Sequence, residues 1–112
     1  MATFVLILYF TIYSMRVIPK RALREFWEKN PDAKIPLKEW YNLVSKVVWQ
    51  NPNEIVEIFP SADIIGNNRV VFNICHNKYR LIVVFRYKIQ MAFIRFIDTH
   101  QKYDKIKDIK NI

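Results

Sequence analysis

Three strand-like runs separated by short polar turns occupy residues 67–104, and they constrain the fold more than any other part of the chain. Each run is rich in β-branched and aromatic residues, and side chains two positions apart share one face of a strand. In the second run, Arg80 and Arg86 fall on one face, whereas Tyr79, Leu81 and Phe85 fall on the other. The pattern predicts an antiparallel meander in which one face carries basic side chains.

The third run places a further arginine within this pattern. Strict alternation puts Met91, Phe93, Arg95 and Ile97 on one face and Ala92, Ile94 and Phe96 on the other. If adjacent strands pair as hairpins, Asn73, Arg80 and Arg95 are expected on a common face. The apolar strand mates of Arg95 leave other interpretations open: its face is the buried one, or the arginine is solvated or one half of a salt bridge.

The preceding residues predict helices that cover this sheet. The expected elements are a strand at Met15–Ile18, helices at Lys20–Asn30 and Ile35–Gln50, a short helix at Pro52–Ile58, and a loop at Phe59–Asn68. The short turns are expected at His76–Asn77 and Tyr87–Gln90. This order predicts an α+β fold, with an N-terminal strand and two helices packed on one face of an antiparallel sheet that ends in a three-stranded meander.

Composition narrows the functional classes. An apolar fraction of 52% excludes a disordered chain, and a net charge of +8 favours a polyanionic partner, nucleic acid before membrane. The single cysteine, Cys75, excludes an internal disulfide and is interpreted as a small core residue. The sheet region offers only Asp98 and Asp104 as carboxylates, so we expect no metal site and no cofactor.

The first residues differ in composition from the remainder. Residues 1–14 form an apolar leader without charge, too short for a helix that spans a membrane, and residues 15–112 form a single domain. Our preferred explanation is a misassigned start upstream of Met15; a true extension that adds β-structure or a weak membrane anchor is the alternative. We expect a cytoplasmic protein without stable membrane association.

Several short motifs resemble one known family in their order and spacing. They are Pro60–Asp63, Asn67–Ile74, Asn77–Leu81, Phe93–Arg95 and Thr99–His100–x–x–Tyr103–Asp104. Together they resemble the HigB-type mRNA interferase toxins of the RelE-like group, and the resemblance extends over residues 15–109. It implies a RelE-like fold, a ribosome-dependent endoribonuclease that cuts mRNA, and an antitoxin of the HigA kind with a helix-turn-helix domain. The leader departs from this family, whose members usually begin near the position of Met15.

The residues can be matched to the chemistry that such an enzyme needs. Cleavage of RNA without metal uses the 2′-hydroxyl as the nucleophile, and requires proton transfer and cations for the phosphorane charge. Imidazole exchanges protons near neutral pH, so His100 is a candidate for proton transfer, with Arg80 and Arg95 for phosphate oxygens. Tyr103 can donate a proton to the leaving group or stack on a base. The candidate RNA-binding residues are Arg69, Asn73, Lys78 and Lys102.

Each assignment has a structural alternative. His100 can serve as a cap or surface group, Tyr103 can pack, and Asp104 can cap the tail or orient His100. At the level of function, the alternatives are a non-catalytic RNA- or DNA-binding module and a membrane-surface protein.

Overall fold

A computed structural model describes residues 14–112, so the prediction about the apolar leader lies almost entirely outside the described residues. The helices are α1 (Lys20–Lys29), α2 (Lys34–Ser45), α3 (Pro52–Ile58) and α4 (His100–Asp104), with 3₁₀ turns at Pro31–Ala33 and Ile109–Asn111. The strands are β1 (Arg16–Ile18), β2 (Asp63–Ile64), β3 (Arg69–Ile74), β4 (Tyr79–Arg86) and β5 (Met91–Thr99).

The five strands form one sheet in the order β1-β5-β4-β3-β2. Strands β3, β4 and β5 pair antiparallel as the predicted meander, and β1 runs parallel to β5 at one edge. The predicted α+β fold is confirmed. The sheet is mixed rather than purely antiparallel, because β1 runs parallel to β5.

Helices α1 and α2 cover one face of the sheet, which we call the core face. Its side chains from β3 and β4 belong to one buried apolar cluster together with Leu23, Leu37 and Trp40 of the helices. Phe72 of β3 lies at the centre of the aromatic contacts, with ring centroids 5.4 Å from Trp40, 5.1 Å from Phe59 and 6.1 Å from Phe85. Burial of these rings attaches the helices to the sheet. We call the opposite face the outer face; its residues Val71, Ile82 and Val84 are buried as well.

Truncating the Phe72 side chain should therefore destabilise the fold severely. Phe72→Ala is expected to lower the free energy of unfolding by about 3–5 kcal/mol, because the cavity cannot close between rings that belong to three different elements. Urea denaturation followed by circular dichroism measures this loss. Phe93→Ala, on the outer face and partly exposed, is the matched control and should cost much less; equal losses would contradict this account of the core.

A β-bulge corrects the predicted alternation of the third strand. Ile82 pairs with Phe96 but Val83 pairs with Ile94, so Arg95 has no partner on β4. A bulge of one residue reverses the faces beyond it. Ile97 consequently packs against the core with Ile94, and Phe96 lies on the outer face, contrary to the strict alternation.

Helix α2 ends at Ser45, five residues before the predicted Gln50. The chain leaves the helix because Trp49 folds back, and its Nε1 donates to the main-chain oxygen of Val44 at 2.9 Å. The Gln90 side chain accepts from the Trp49 main-chain N at 3.1 Å and donates to its oxygen. Contacts of Trp49 with Gln90 in the β4–β5 turn, 41 residues away in sequence, thus end the helix.

Two smaller predictions are also corrected. The segment expected as a loop at Phe59–Asn68 contains β2, which pairs with Val70 and Val71. Cys75 follows the end of β3 in a left-handed conformation and is half-buried, so it is a turn residue packed at the margin of the core. Asn77 in the same turn is also left-handed, with φ of 81°.

No helix within residues 14–112 is long and apolar enough to cross a membrane. The same residues contain no cluster of three His, Cys, Asp or Glu side chains arranged to hold a metal ion.

Candidate active site

The polar site begins as a row across three strands on the outer face. Asn73 of β3 lies directly opposite Arg80 of β4, which in turn lies opposite Asp98 of β5. Directly opposed residues share a face of an antiparallel sheet. The row therefore places an amide, a guanidinium and a carboxylate side by side where β3 ends and β4 begins.

Helix α4 places two further predicted residues, His100 and Tyr103, beside this row. Thr99 is the N-cap, and its hydroxyl accepts from the main-chain N of Lys102 at 3.3 Å. The main-chain N of His100 donates to the oxygen of Lys78 at 3.1 Å, which attaches the helix to the β3–β4 turn. A helix of only five residues is marginal alone, so these two contacts define its position.

Arg80 and Tyr103 meet at this position. The guanidinium carbon of Arg80 lies 5.8 Å from the centre of the Tyr103 ring, which also lies 6.5 Å from the Phe96 ring. Nη1 of Arg80 donates to the main-chain oxygens of Asn77 at 2.9 Å and Tyr79 at 3.3 Å. Because a guanidinium carries five N–H donors, the remaining ones can bind a phosphate that approaches from solvent.

His100 has a carboxylate beside it. Its Nδ1 lies 3.7 Å from Oδ2 of Asp104, one helical turn later, and 42% of the His100 side chain is exposed. This separation is too long for a good hydrogen bond, but it places the carboxylate on the Nδ1 side of the ring. Asp104 was expected either to cap the tail or to orient His100, and this geometry favours the second role.

The Tyr103 phenol remains protonated at neutral pH. Burial raises its pKa above the ordinary value, the carboxylates of Asp63 and Asp104 raise it further, and Arg80 acts in the opposite direction. A neutral phenol can donate a hydrogen bond or a proton but cannot act as a base. Both roles considered for Tyr103, as proton donor or stacking surface, are compatible with this state.

Lys102 lies near the row, whereas the other predicted residues Arg69, Arg95 and Lys78 lie away from it. Nζ of Lys102 is 3.4 Å from Asp98. Arg69, at the other end of β3, donates to the main-chain oxygens of Asn67 at 2.8 Å and Ile112 at 2.6 Å. Arg95, in the bulge, lies over the Phe93 ring at 5.8 Å. Arg95 therefore shares the outer face with the row. At the spacing of residues in a strand, it lies about 10 Å from Asp98 along β5.

Lys78 is bound to a different part of the molecule. Its ammonium forms an ion pair with Asp32 in the turn between α1 and α2, and the Tyr79 hydroxyl donates to the same carboxylate at 2.7 Å. These hydrogen bonds, that of Lys78 first, hold the pKa of Asp32 below its ordinary value. Lys78 thus connects the hairpin to the helices, and its role in RNA binding stays a prediction.

This carboxylate should make stability depend on pH. A carboxyl whose pKa is lower in the folded state stabilises the fold above its unfolded pKa, and that contribution is lost as pH falls through the folded pKa. Asp32→Asn should therefore be less stable than the parent at pH 7, and the difference should disappear in strong acid, as measured by urea denaturation from pH 7 downward. Glu57→Gln, at an exposed position of α3, is the control. A difference for Asp32→Asn that persists unchanged in acid would contradict the ion-pair explanation.

One member of the row was missed as a site residue at the sequence level. Asp98 was considered only as a possible metal ligand, yet it lies opposite Arg80 and pairs with Lys102. Hairpin register between β4 and β5 is the signal that predicts such a neighbour, but the bulge lies between the turn and Asp98, so register counted from the turn is displaced by one residue.

Comparison with known proteins assigns this arrangement to a family. Residues 33–106 match the family described as HigB toxin, the RelE-like toxic component of a toxin–antitoxin system. The chain belongs to the HigB toxin family. The matched range includes β2 to β5 and all of α4, so it contains the whole row together with His100 and Tyr103.

Individual HigB proteins show the same relationship. The chain is 30% identical over 92 residues to the mRNA interferase toxin HigB of Escherichia coli K12, which covers 80% of this chain and 88% of the relative. The mRNA interferase HigB of Shigella flexneri matches to the same extent. That of Escherichia coli O6:H1 is 26% identical over 94 residues, covering 82% of this chain and 91% of the relative.

Proposed function

We propose that this member of the HigB family is an mRNA interferase, an endoribonuclease whose active site is the outer-face cluster of Arg80, His100 and Tyr103. The observation that carries the proposal is the contact of Arg80 with Tyr103 on a helix that begins with His100. It joins a permanent cation, a group that exchanges protons near neutral pH and a neutral phenol on one partly exposed surface.

The proposed reaction is an internal transfer at phosphorus. The 2′-hydroxyl attacks the adjacent phosphate, the bond from phosphorus to the 5′-oxygen breaks, and the products are a 2′,3′-cyclic phosphate and a 5′-hydroxyl. His100 takes the proton of the 2′-hydroxyl, and Tyr103 or the protonated imidazole supplies one to the leaving oxygen. Arg80 stabilises the charge that develops on the phosphorane oxygens.

Other residues of the outer face would hold the RNA strand. Asn73 and Lys102 flank Arg80 and can contact the sugar or phosphate on either side. Arg95 lies farther along β5, where it can bind a phosphate remote from the cleaved bond. Arg69 already donates to two main-chain oxygens, so its contribution would require the segment around Ile112 to move.

A mechanism without metal is part of the proposal. Magnesium requires several oxygen ligands, usually carboxylates with water. Asp98 is already paired with Lys102, and within residues 14–112 no three His, Cys, Asp or Glu side chains are arranged to hold a metal ion. On programmed ribosomes, replacing the 2′-hydroxyl of the cleaved nucleotide by hydrogen should abolish cleavage, because the internal nucleophile is then missing. Continued cleavage of that mRNA with a 5′-phosphate product, as expected of metal-activated water, would refute this part.

We further propose that cleavage requires the ribosome and that a HigA-like helix-turn-helix antitoxin neutralises the protein. The side chains of the cluster are partly exposed on a sheet face, an arrangement that leaves the positioning of the scissile phosphate to a second surface. The net charge of +8 suits docking onto ribosomal RNA as well as mRNA.

The ribosome requirement is tested with purified components. We expect the protein to leave a free mRNA mostly intact and to cut the same mRNA when it is threaded through a ribosome with an open decoding site. Primer extension locates the cuts in both reactions. Efficient and specific cleavage of the free mRNA at physiological salt would refute the requirement, while leaving the endoribonuclease assignment intact.

A further inference from the structure

A groove of about 530 Å³ runs between α1 and α2, on the side of the molecule remote from the proposed active site. The two helices pack on the core face, whereas Arg80 and Tyr103 lie on the outer face. Nothing in the proposed cleavage reaction uses this groove. Its lining is unusual in combining a basic rim with an apolar floor.

The rim carries four cations. Lys20, Arg21 and Arg24 project from α1, and Lys38 projects from α2 on the other side. None of the lining side chains that the structure describes is acidic. Arg21 and Arg24 do pair with glutamates one turn later, at 3.5 and 3.9 Å, but these pairs are more than half exposed and contribute little. Among the described residues no carboxylate pairs with Lys20 or Lys38, so the rim keeps a net positive charge toward a partner.

The floor is apolar and aromatic. Leu23 is buried at its base, and the half-buried rings of Trp27 and Tyr41 form the walls. The ammonium of Lys20 lies 4.6 Å from the centre of the Tyr41 ring, and that of Lys38 lies 5.7 Å from the Trp27 ring. Because a lysine occupies one face of each ring, these rings are poor platforms for stacked bases.

We propose that this groove binds an acidic amphipathic segment of a partner protein, the antitoxin with which a toxin of this family is paired. A helix in a groove places apolar side chains on the floor and charged ones at the rim, which matches the floor of Leu23, Trp27 and Tyr41 and the four cations. A nucleic acid would satisfy the rim but not the floor. The proposal rests on the toxin function proposed above, and it places neutralisation on the face opposite to the site of cleavage.

The test uses a synthetic peptide of about 20 residues, with leucines at i, i+3, i+4 and i+7 spacing and glutamates on the other face. Its fluorescence anisotropy is titrated with the full-length protein and with the variant Arg24→Gln/Lys38→Gln. The control variant Lys46→Gln/Lys88→Gln removes the same charge from exposed positions outside the groove. A peptide with lysine for glutamate and a uridine 20-mer serve as competing probes.

We expect the acidic peptide to bind the parent and to lose at least about tenfold in affinity in Arg24→Gln/Lys38→Gln, with the control variant within about twofold. The lysine peptide should not bind. Equal affinity of the acidic peptide for both variants would overturn the proposal. So would selective loss of uridine 20-mer binding in Arg24→Gln/Lys38→Gln, since the groove would then be an RNA surface.

Cleavage assays keep this result separate from the proposed function. Arg24→Gln/Lys38→Gln should arrest growth as the parent does, because neither residue touches the cleavage site. Conversely, Arg80→Ala should still bind the acidic peptide. If the docking proposal fails, Arg24→Gln/Lys38→Gln will bind the acidic peptide as the parent does, and toxicity will be intact. If the toxin function fails, the parent will bind the peptide but will never arrest growth.

Discussion

Arg80→Ala is expected to reduce mRNA cleavage on ribosomes by about 100- to 1,000-fold while the domain stays folded. A preorganised donor that contacts developing charge in the transition state typically contributes this much. Two main-chain oxygens hold Nη1 of Arg80 and the Tyr103 ring lies beside the guanidinium, so little reorganisation is needed when the phosphorane forms. Single-turnover cleavage on programmed ribosomes measures the effect, and growth arrest on induction is the cellular readout.

Arg86→Ala is the matched control for this change. Arg86 lies on the same strand and the same outer face, but at the far end, opposite Met91. Its removal changes the net charge equally and should leave the rate of cleavage within about threefold, since exposed charges far from the reaction act mainly through screened attraction. If Arg80→Ala stays folded and cleaves at the parental rate, Arg80 is not a catalytic residue.

His100→Ala should abolish growth arrest. His100 is the histidine at the outer-face cluster, and no other group described there exchanges protons readily near neutral pH, so its loss should lower cleavage by about 100- to 10,000-fold. Its main-chain contact to Lys78 and the cap at Thr99 do not depend on the imidazole, so α4 should persist. Cleavage by purified variants, together with circular dichroism, measures both expectations.

His76→Ala is the control for His100. His76 is exposed in the β3–β4 turn, outside the cluster, so His76→Ala removes the same imidazole from a different place. It should retain full toxicity. Ribosome binding measured for both variants distinguishes catalysis from docking: if His100→Ala loses ribosome binding in proportion to its activity, the cluster is a binding module and the proposed proton transfer is wrong.

Local sequence patterns determined most of the fold. Apolar spacing predicted α1, Asn51 and Pro52 predicted α3, and alternation in β3 and β4 placed Asn73 and Arg80 on one face. These features are accessible because each depends on residues only a few positions apart, within one helix turn or one hairpin. The start of α4 is equally local, since Thr99 caps the residues directly after it.

The tertiary structure decided the features that depend on distant partners. The bulge at Arg95 arises from how β5 fits β4, and it reversed the faces of Phe96 and Ile97. The end of α2 depends on Gln90, although the apolar stripe continues through Val47 and Val48. Trp49 and Gln90 are 41 positions apart, and the bulge depends on how two complete strands fit together, so the local pattern of either partner specifies neither feature.

The same distinction applies to the basic residues of the site. Composition determined the net charge of +8, but each cation's role depends on which acceptor the fold brings to it. Asp32, 46 positions away, binds Lys78, and the main chain at Ile112, 43 positions away, binds Arg69, whereas Arg80 meets the ring of Tyr103. A long side chain binds whichever acceptor lies within its reach, and only the packing of helices, sheet and C-terminal residues determines that acceptor.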